Sequence, residues 1–476
     1  MDTLVTNGTL LTMRGERLGI VDDGVVAIDD GRISYVGPAR EGPEPSDAND
    51  HVDAGGGVVM PGLVNAHTHM AHTLLRGGAQ DVPEIEWMNR ALGPLSAHAD
   101  EGDRVAGARL GVLEAVRAGA TTICEYAGEV GTLVEAVYQP LGVDVVAVET
   151  INEVPDERGD LGPRELYPFD REQGEEALAR ADRLFEDFGG DPLVTPAYGP
   201  QALDMVSPEL LQTVQQHAHE RGAKLHLHTA QGEREAIQIE ERYGDDESTV
   251  SVLDDLGIVD DSLVAVHCHG ATPAERERLA EAGAAMLGCP SSIAAIDGIV
   301  PPIAEFREYG AAVGIGTDQA PGPGHHSMVR EARTAATLSK VERTDPTALT
   351  APEALRLATV GGAEALGIDD EVGTLEAGTR ADLLVVETDQ LSTAPAVESP
   401  LHTAVPNLVY STTGREVRDV FVAGEAVLRN GAFVDADPEA AVADATERAR
   451  ALYERASEDW RAADSDLVAA VDDGWL

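Results

Sequence analysis

Lysine is almost missing from this chain. Only Lys224 and Lys340 occur, among 34 basic residues set against 85 acidic ones, for a net charge of −51 over 476 residues. A field of that sign repels polyanions, which sets aside nucleic acid and anionic membrane as partners. Cysteine is nearly as scarce. Cys124, Cys268 and Cys289 are scattered, so they form no disulfide framework and no Cys-x-x-Cys knuckle, and free thiols in a reducing compartment are expected. No apolar run approaches the ~18 residues of a membrane span. The opening residues, MDTLVTNGTLLTMRGE, lack a basic start followed by an apolar stretch and read as uncleaved and cytoplasmic. Neither an internal repeat nor a low-complexity linker stands out.

What is present can bury a large interior: 43% of the residues are hydrophobic, and the length suits a large barrel with a satellite domain. The acidity is spread along the whole chain. Such an acid-rich, lysine-poor surface repels itself in dilute buffer and is relieved by screening salt. A halophilic setting is therefore expected.

Residues 1–58 read as short strands with Gly and Asp turns. Strand and helix patterns then alternate. The strand candidates are VVMPGLVNAH, ATTICEYA, GVDVVAVETI, DPLVTPAYG, AKLHLHTA, SLVAVHCHG, AAMLGCP and AAVGIGTD. Eight strands with helices between them predict an α/β fold, a (β/α)8 TIM-type barrel. Strand-like segments return after a helical pair (APEALRLATVGGAEALG), and both chain ends are expected to form one small β-sandwich. The expected divisions are 1–58 with 366–436 for the sandwich, 59–365 for the barrel, and 437–476 for a helical tail at a surface or interface.

Active sites of such barrels lie at the C-terminal ends of the strands. Strand one ends in His67 and His69, two residues apart and so aimed alike on an extended strand. Strand five carries His226 and His228, about 7 Å apart in depth. His228 is nearer the mouth, and His226 is expected to be a packed, hydrogen-bonded interior residue. Strand six offers His267 and His269, and strand eight ends in Asp318. His67, His69, His228 and Asp318 make an N/O ligand set suited to one divalent metal, zinc first, iron or manganese next. Neither lysine is placed to bridge a second ion.

The segments PGLVNAHTHMAHTLLRG, SPELL, HLHTA, VAVHCHGAT, GIGTD and ATVGGAEALGIDDEVGTLEAGTRADLLVV run nearly end to end. By these the chain resembles the amidohydrolase superfamily. The likeness is to the branch of S-adenosylhomocysteine/methylthioadenosine deaminases, guanine and cytosine deaminases and triazine hydrolases. The resemblance implies that His67, His69, His228 and Asp318 hold the metal and that His267 lies beside the metal-bound water. Two positions depart from the pattern. Those deaminases usually carry Glu three residues after the strand-five histidine, where it shuttles a proton; here it is Gln231, which hydrogen-bonds but cannot exchange a proton. After strand four a substrate-facing histidine is replaced by Gln201.

The reaction expected is hydrolytic attack on a C–N bond, with Asp318 and His267 as catalytic groups and Glu233 as one candidate to replace the missing acid. Gln201, Gln231, Trp87 and Arg76 are expected to shape the substrate pocket, and loops 77–98 and 152–170 to act as lids. The substrate expected is an aminated heterocycle or nucleoside-like small molecule. Two alternatives stay open: hydrolysis of a cyclic amide or triazine with a leaving group other than ammonia, and a metal-containing binding protein with weakened turnover. A homo-oligomer is expected by analogy.

The charge pattern yields the first testable expectation. The melting temperature should fall as KCl is withdrawn; full stability in dilute buffer would contradict it.

Overall fold

The computed structural model describes residues 1–155, 161 and 164–476. Eight parallel strands form one sheet in chain order: Leu63–Thr68, Ala120–Ala127, Asp144–Ile151, Val194–Pro200, Leu225–Thr229, Leu263–His267, Ala285–Gly288 and Val313–Ile315. They are barrel strands one to eight below. The first and last meet through a parallel bridge between Thr68 and Asp318. The backbone N–H of Asp318 donates to His67 O at 2.9 Å, and that of His69 donates to Asp318 O at 3.2 Å. Gly316 makes this seam possible, because a Cβ there would lie 2.5 Å from the backbone nitrogen of His67.

The helices between the strands follow local chemistry. Glu101–Arg117 starts at Asp100, whose side chain accepts the Asp103 N–H while Asp103 reaches back, a capping box. Pro208–Arg221 starts at Ser207 with Pro at its first position and stops at Gly222 in the left-handed region. Among the described residues no helix is long and apolar enough to cross a membrane.

The apolar run Val58–His67, expected as one strand, is two. Val58–Pro61 leaves the barrel and pairs antiparallel with Leu383–Val386 in the sheet built from the chain ends. That sheet is hydrogen-bonded as a single nine-stranded unit, and strands from both ends share a core that includes Val5, Ile28, Val59, Leu383 and Phe421. The tail helix Pro438–Ala462 sets Ala445, Leu452 and Ala456 against Leu74, Leu75, Trp87 and Leu92 in the loop after strand one. All three cysteines are free and buried, and burial pushes their thiols up.

A buried ion cluster ties the sheet to the base of the barrel. Arg380 lies 2.6 Å from Asp144, the first residue of strand three, and 2.7 Å from Asp382, and it also donates to Pro192 O at 3.0 Å. Removing the cation would leave two buried carboxylates facing each other. Arg380→Met should therefore cost about 3–5 kcal/mol in chemical denaturation. Adding Asp144→Asn and Asp382→Asn should recover part of that loss.

Candidate active site

The strand ends do not all reach the barrel mouth by simple alternation. Strand five does: Leu225 and Leu227 pack on the helix side, leaving His226 and His228 to the interior. In strand one Val64 and Ala66 belong to the interior cluster, so a regular strand would turn His67 outward. The register slips between Asn65 and Thr68 instead, and the His67 ring meets those of His69, His228 and His267 at 4.9, 5.0 and 5.6 Å. In strand six Val264 and Val266 face inward, and His267 is turned by a left-handed φ of +75°. Asp318 has φ +56° and Ala230 φ +49°. Non-glycine residues in that region cost about 1–3 kcal/mol each, and here they cluster at one end of the barrel.

His67, His69 and His228 bring ligand nitrogens within 4.8 Å of one another. Asp318 Oδ1 lies 3.4 Å from His69 Nε2 and 3.8 Å from His67 Nε2. The other ring nitrogens are occupied. His69 Nδ1 donates to Tyr126 O at 2.8 Å and His228 Nδ1 to Gln201 O at 2.8 Å, which leaves each Nε2 with its lone pair free. His67 Nδ1 is 3.3 Å from His226 Nε2, and His226 Nδ1 is 3.6 Å from Cys124 Sγ. Ser292 Oγ donates to Asp318 Oδ2 at 2.6 Å.

Burial keeps these imidazoles neutral. It holds His67, His228 and His267 well below the usual histidine range and His69 at about 4, while it pushes Asp318 up to about 6. His67 Nε2 and Asp318 Oδ1 are buried with no hydrogen-bond partner. Orphaned polar atoms of that kind are costly, and two of them beside two further free Nε2 atoms fit a divalent cation. The three imidazoles and one carboxylate match zinc in donor type.

A cavity of about 310 Å³ opens over this cluster, lined by His69, His228, His267 and Asp318. Trp87, Gln201 and Gln231 also line it; Trp87 is buried and donates Nε1–H to Ala79 O at 2.8 Å. Arg76 does not line the cavity, because its guanidinium pairs with Glu114. Glu233, an exposed residue at the start of the helix Glu233–Tyr243, does not line it either. The expected strand-one lid contributes Glu84, Trp87, Met88 and Leu92 to the cavity; of the expected second lid, 156–160, 162 and 163 lie outside the described residues. Sequence reasoning passed over Ser292, Glu84 and Asp297. Ser292 follows strand seven in CPSS, where the absence of a titratable side chain gave no signal. Glu84 sits in an acid-rich loop where carboxylates are common, and Asp297 is a lone acid in the loop after strand seven with no motif around it.

Ser292→Ala tests the ligand support. Its fold should be intact, and its zinc affinity, measured by chelator competition, should fall about 10–100-fold.

A model of the amidohydrolase family matches residues 58–427. The chain is 34% identical to the 5-methylthioadenosine/S-adenosylhomocysteine deaminase of Moorella thermoacetica, covering 94% of this chain and 98% of that protein. It is 33% identical to the 5'-deoxyadenosine deaminase of Methanopyrus kandleri, with 91% and 96% covered. It is 35% identical to the 5-methylthioadenosine/S-adenosylhomocysteine deaminase of Halobacterium salinarum, with 92% and 96% covered. Among solved structures, an adenosine deaminase of Xanthomonas campestris with bound zinc superposes with a TM-score of 0.86 at 30% identity, covering 95% of this chain and 99% of that one. An atrazine chlorohydrolase of Arthrobacter aurescens, complexed with zinc, gives a TM-score of 0.81 at 23% identity over 94% and 100% of the chains, a likeness of fold alone.

Proposed function

This chain belongs to the amidohydrolase family, and on that premise we propose that it deaminates an aminated heterocycle of up to nucleoside size by hydrolysis. The observation that carries the reading is the pair of unpartnered buried atoms, His67 Nε2 and Asp318 Oδ1, facing His69 and His228 beneath an open cavity. A divalent cation held by these four residues, zinc by donor type, would lower the pKa of a water towards neutrality and orient it.

The chain's own groups do the rest. Asp318 takes a proton from the attacking water, and Ser292 holds the carboxylate in place. His267, kept neutral by burial, hydrogen-bonds the developing oxyanion rather than opposing the cation with a like charge. Gln201 and Gln231 present amide groups to the substrate's polar edge. The cavity volume lies at the low end for small-molecule sites, which favours a compact ring system. Amides at these two positions also argue for a substrate other than a simple adenosine derivative. The net charge of −51 and the near absence of lysine support a high-salt setting as part of the same proposal.

Gln231 favours one second reading. A ring whose leaving group is not ammonia would tolerate the loss of a proton shuttle at that position.

The deciding measurement is metal analysis with a release assay on aminated pyrimidines, purines, pterins and triazines. One equivalent of divalent metal and ammonia release are expected. Asp318→Asn should lower turnover by at least ~10²-fold. Product formed without ammonia would favour the second reading, and metal-free, inactive protein would end both.

A further inference from the structure

Gln231 leaves the proposed deamination without an acid at the strand-five position, and the cavity supplies a carboxylate from elsewhere. Gly232, beside Gln231, has φ +149°. A Cβ on it would lie 2.8 Å from Glu84 Cδ, 2.9 Å from Glu84 Oε1 and 3.2 Å from Asp297 Oδ1. Two acidic side chains from different loops, one after strand one and one after strand seven, thus converge over the residue that follows Gln231. A side chain at 232 would displace them. Both line the same cavity as Gln231, His228 and Asp318.

Each is held in place. Glu84 Oε2 accepts the Arg234 backbone N–H at 3.2 Å, and Asp297 Oδ1 lies 3.3 Å from His269 Nε2. The guanidinium of Arg234 is engaged by buried Asp204. The groups that act on Glu84 come from three other elements. Arg234 after strand five and His269 after strand six pull its pKa down, whereas burial and Asp297 push it up, and the net shift is upward.

We propose that Glu84, with Asp297 beside it, is the acid that protonates the substrate ring nitrogen, the role that Gln231 cannot fill. The assignment rests on the deaminase reading above. Protonated Glu84 gives its proton to the ring nitrogen as water oxygen bonds to the adjacent carbon. Asp318 takes the water's first proton and passes it to the departing amino group. Glu84 regains a proton from the hydroxyl of the tetrahedral carbon as the C–N bond breaks and the C=O forms. Ammonia leaves, both water protons are accounted for, and no electron is transferred.

Because Glu84 acts protonated, turnover falls as pH rises through its pKa. Removing the neighbouring negative charge lowers that pKa, so Asp297→Asn should move the alkaline limb of the kcat profile to lower pH. Glu84→Gln should lower kcat at least ~10²-fold, abolish that limb, and leave metal content and melting temperature unchanged. Gln231→Glu in the Glu84→Gln background should recover at least tenfold, a rescue that a structural role for Glu84 would not produce. A Glu84→Gln enzyme within threefold of wild type with its limb intact, or a double variant no faster than the single one, would overturn the assignment. Ammonia release by the wild type reports separately on the deaminase reading: without it both fall, whereas release with an unaffected Glu84→Gln removes only this assignment.

Discussion

The molecule depends on a backbone seam two hydrogen bonds wide. His67 O and the His69 N–H grip Asp318 from both sides, so the first and last barrel strands close on residues that also carry the candidate ligands. Closure and site are one event: the barrel cannot shut without bringing a carboxylate from strand eight against two imidazoles from strand one. Asn65 and Thr317 reinforce the seam, with Thr317 N–H donating to Asn65 Oδ1 and Asn65 Nδ2 to Thr317 Oγ1, each at 2.9 Å.

From that constraint the electrostatics follow. Imidazoles packed together away from water lose their protons, and a carboxylate in the same space resists ionising. His67, His69 and His228 pair their Nδ1 atoms with another histidine or with a backbone carbonyl, and His67 Nε2 and Asp318 Oδ1 are left buried and unpaired. A divalent cation held by these residues would satisfy those two atoms, which would couple its binding to the order of the strand ends.

The rest of the cavity is built by loops and helices together with the ends of strands two and three. The tail helix packs against the strand-one loop and reaches the cavity through Leu452, so the last part of the chain sets the shape above a site made by the middle. The strand ends bring the candidate ligands together, and Glu84, Asp297, Gln201 and Gln231 line the cavity around them.

Strand order, barrel class and the identity of the clustered histidines were legible in the sequence, because each rests on a local pattern. Apolar runs of strand length alternate with capped amphipathic helices, and histidines stand at strand ends. The aim of His67 and His267 was not, because it comes from a register slip and a left-handed residue that a period of two does not contain. Arg76 and Glu233 are polar residues beside ligands in the chain but outside the cavity, since neighbours in sequence diverge where a strand turns into a loop. Ser292 and Glu84 entered the site from remote segments with no motif to mark them. The sequence alone thus determined which side chains could bind a metal and on which scaffold. Only the tertiary structure decided which carboxylates line the cavity, because that depends on how separate loops fold back over one strand end.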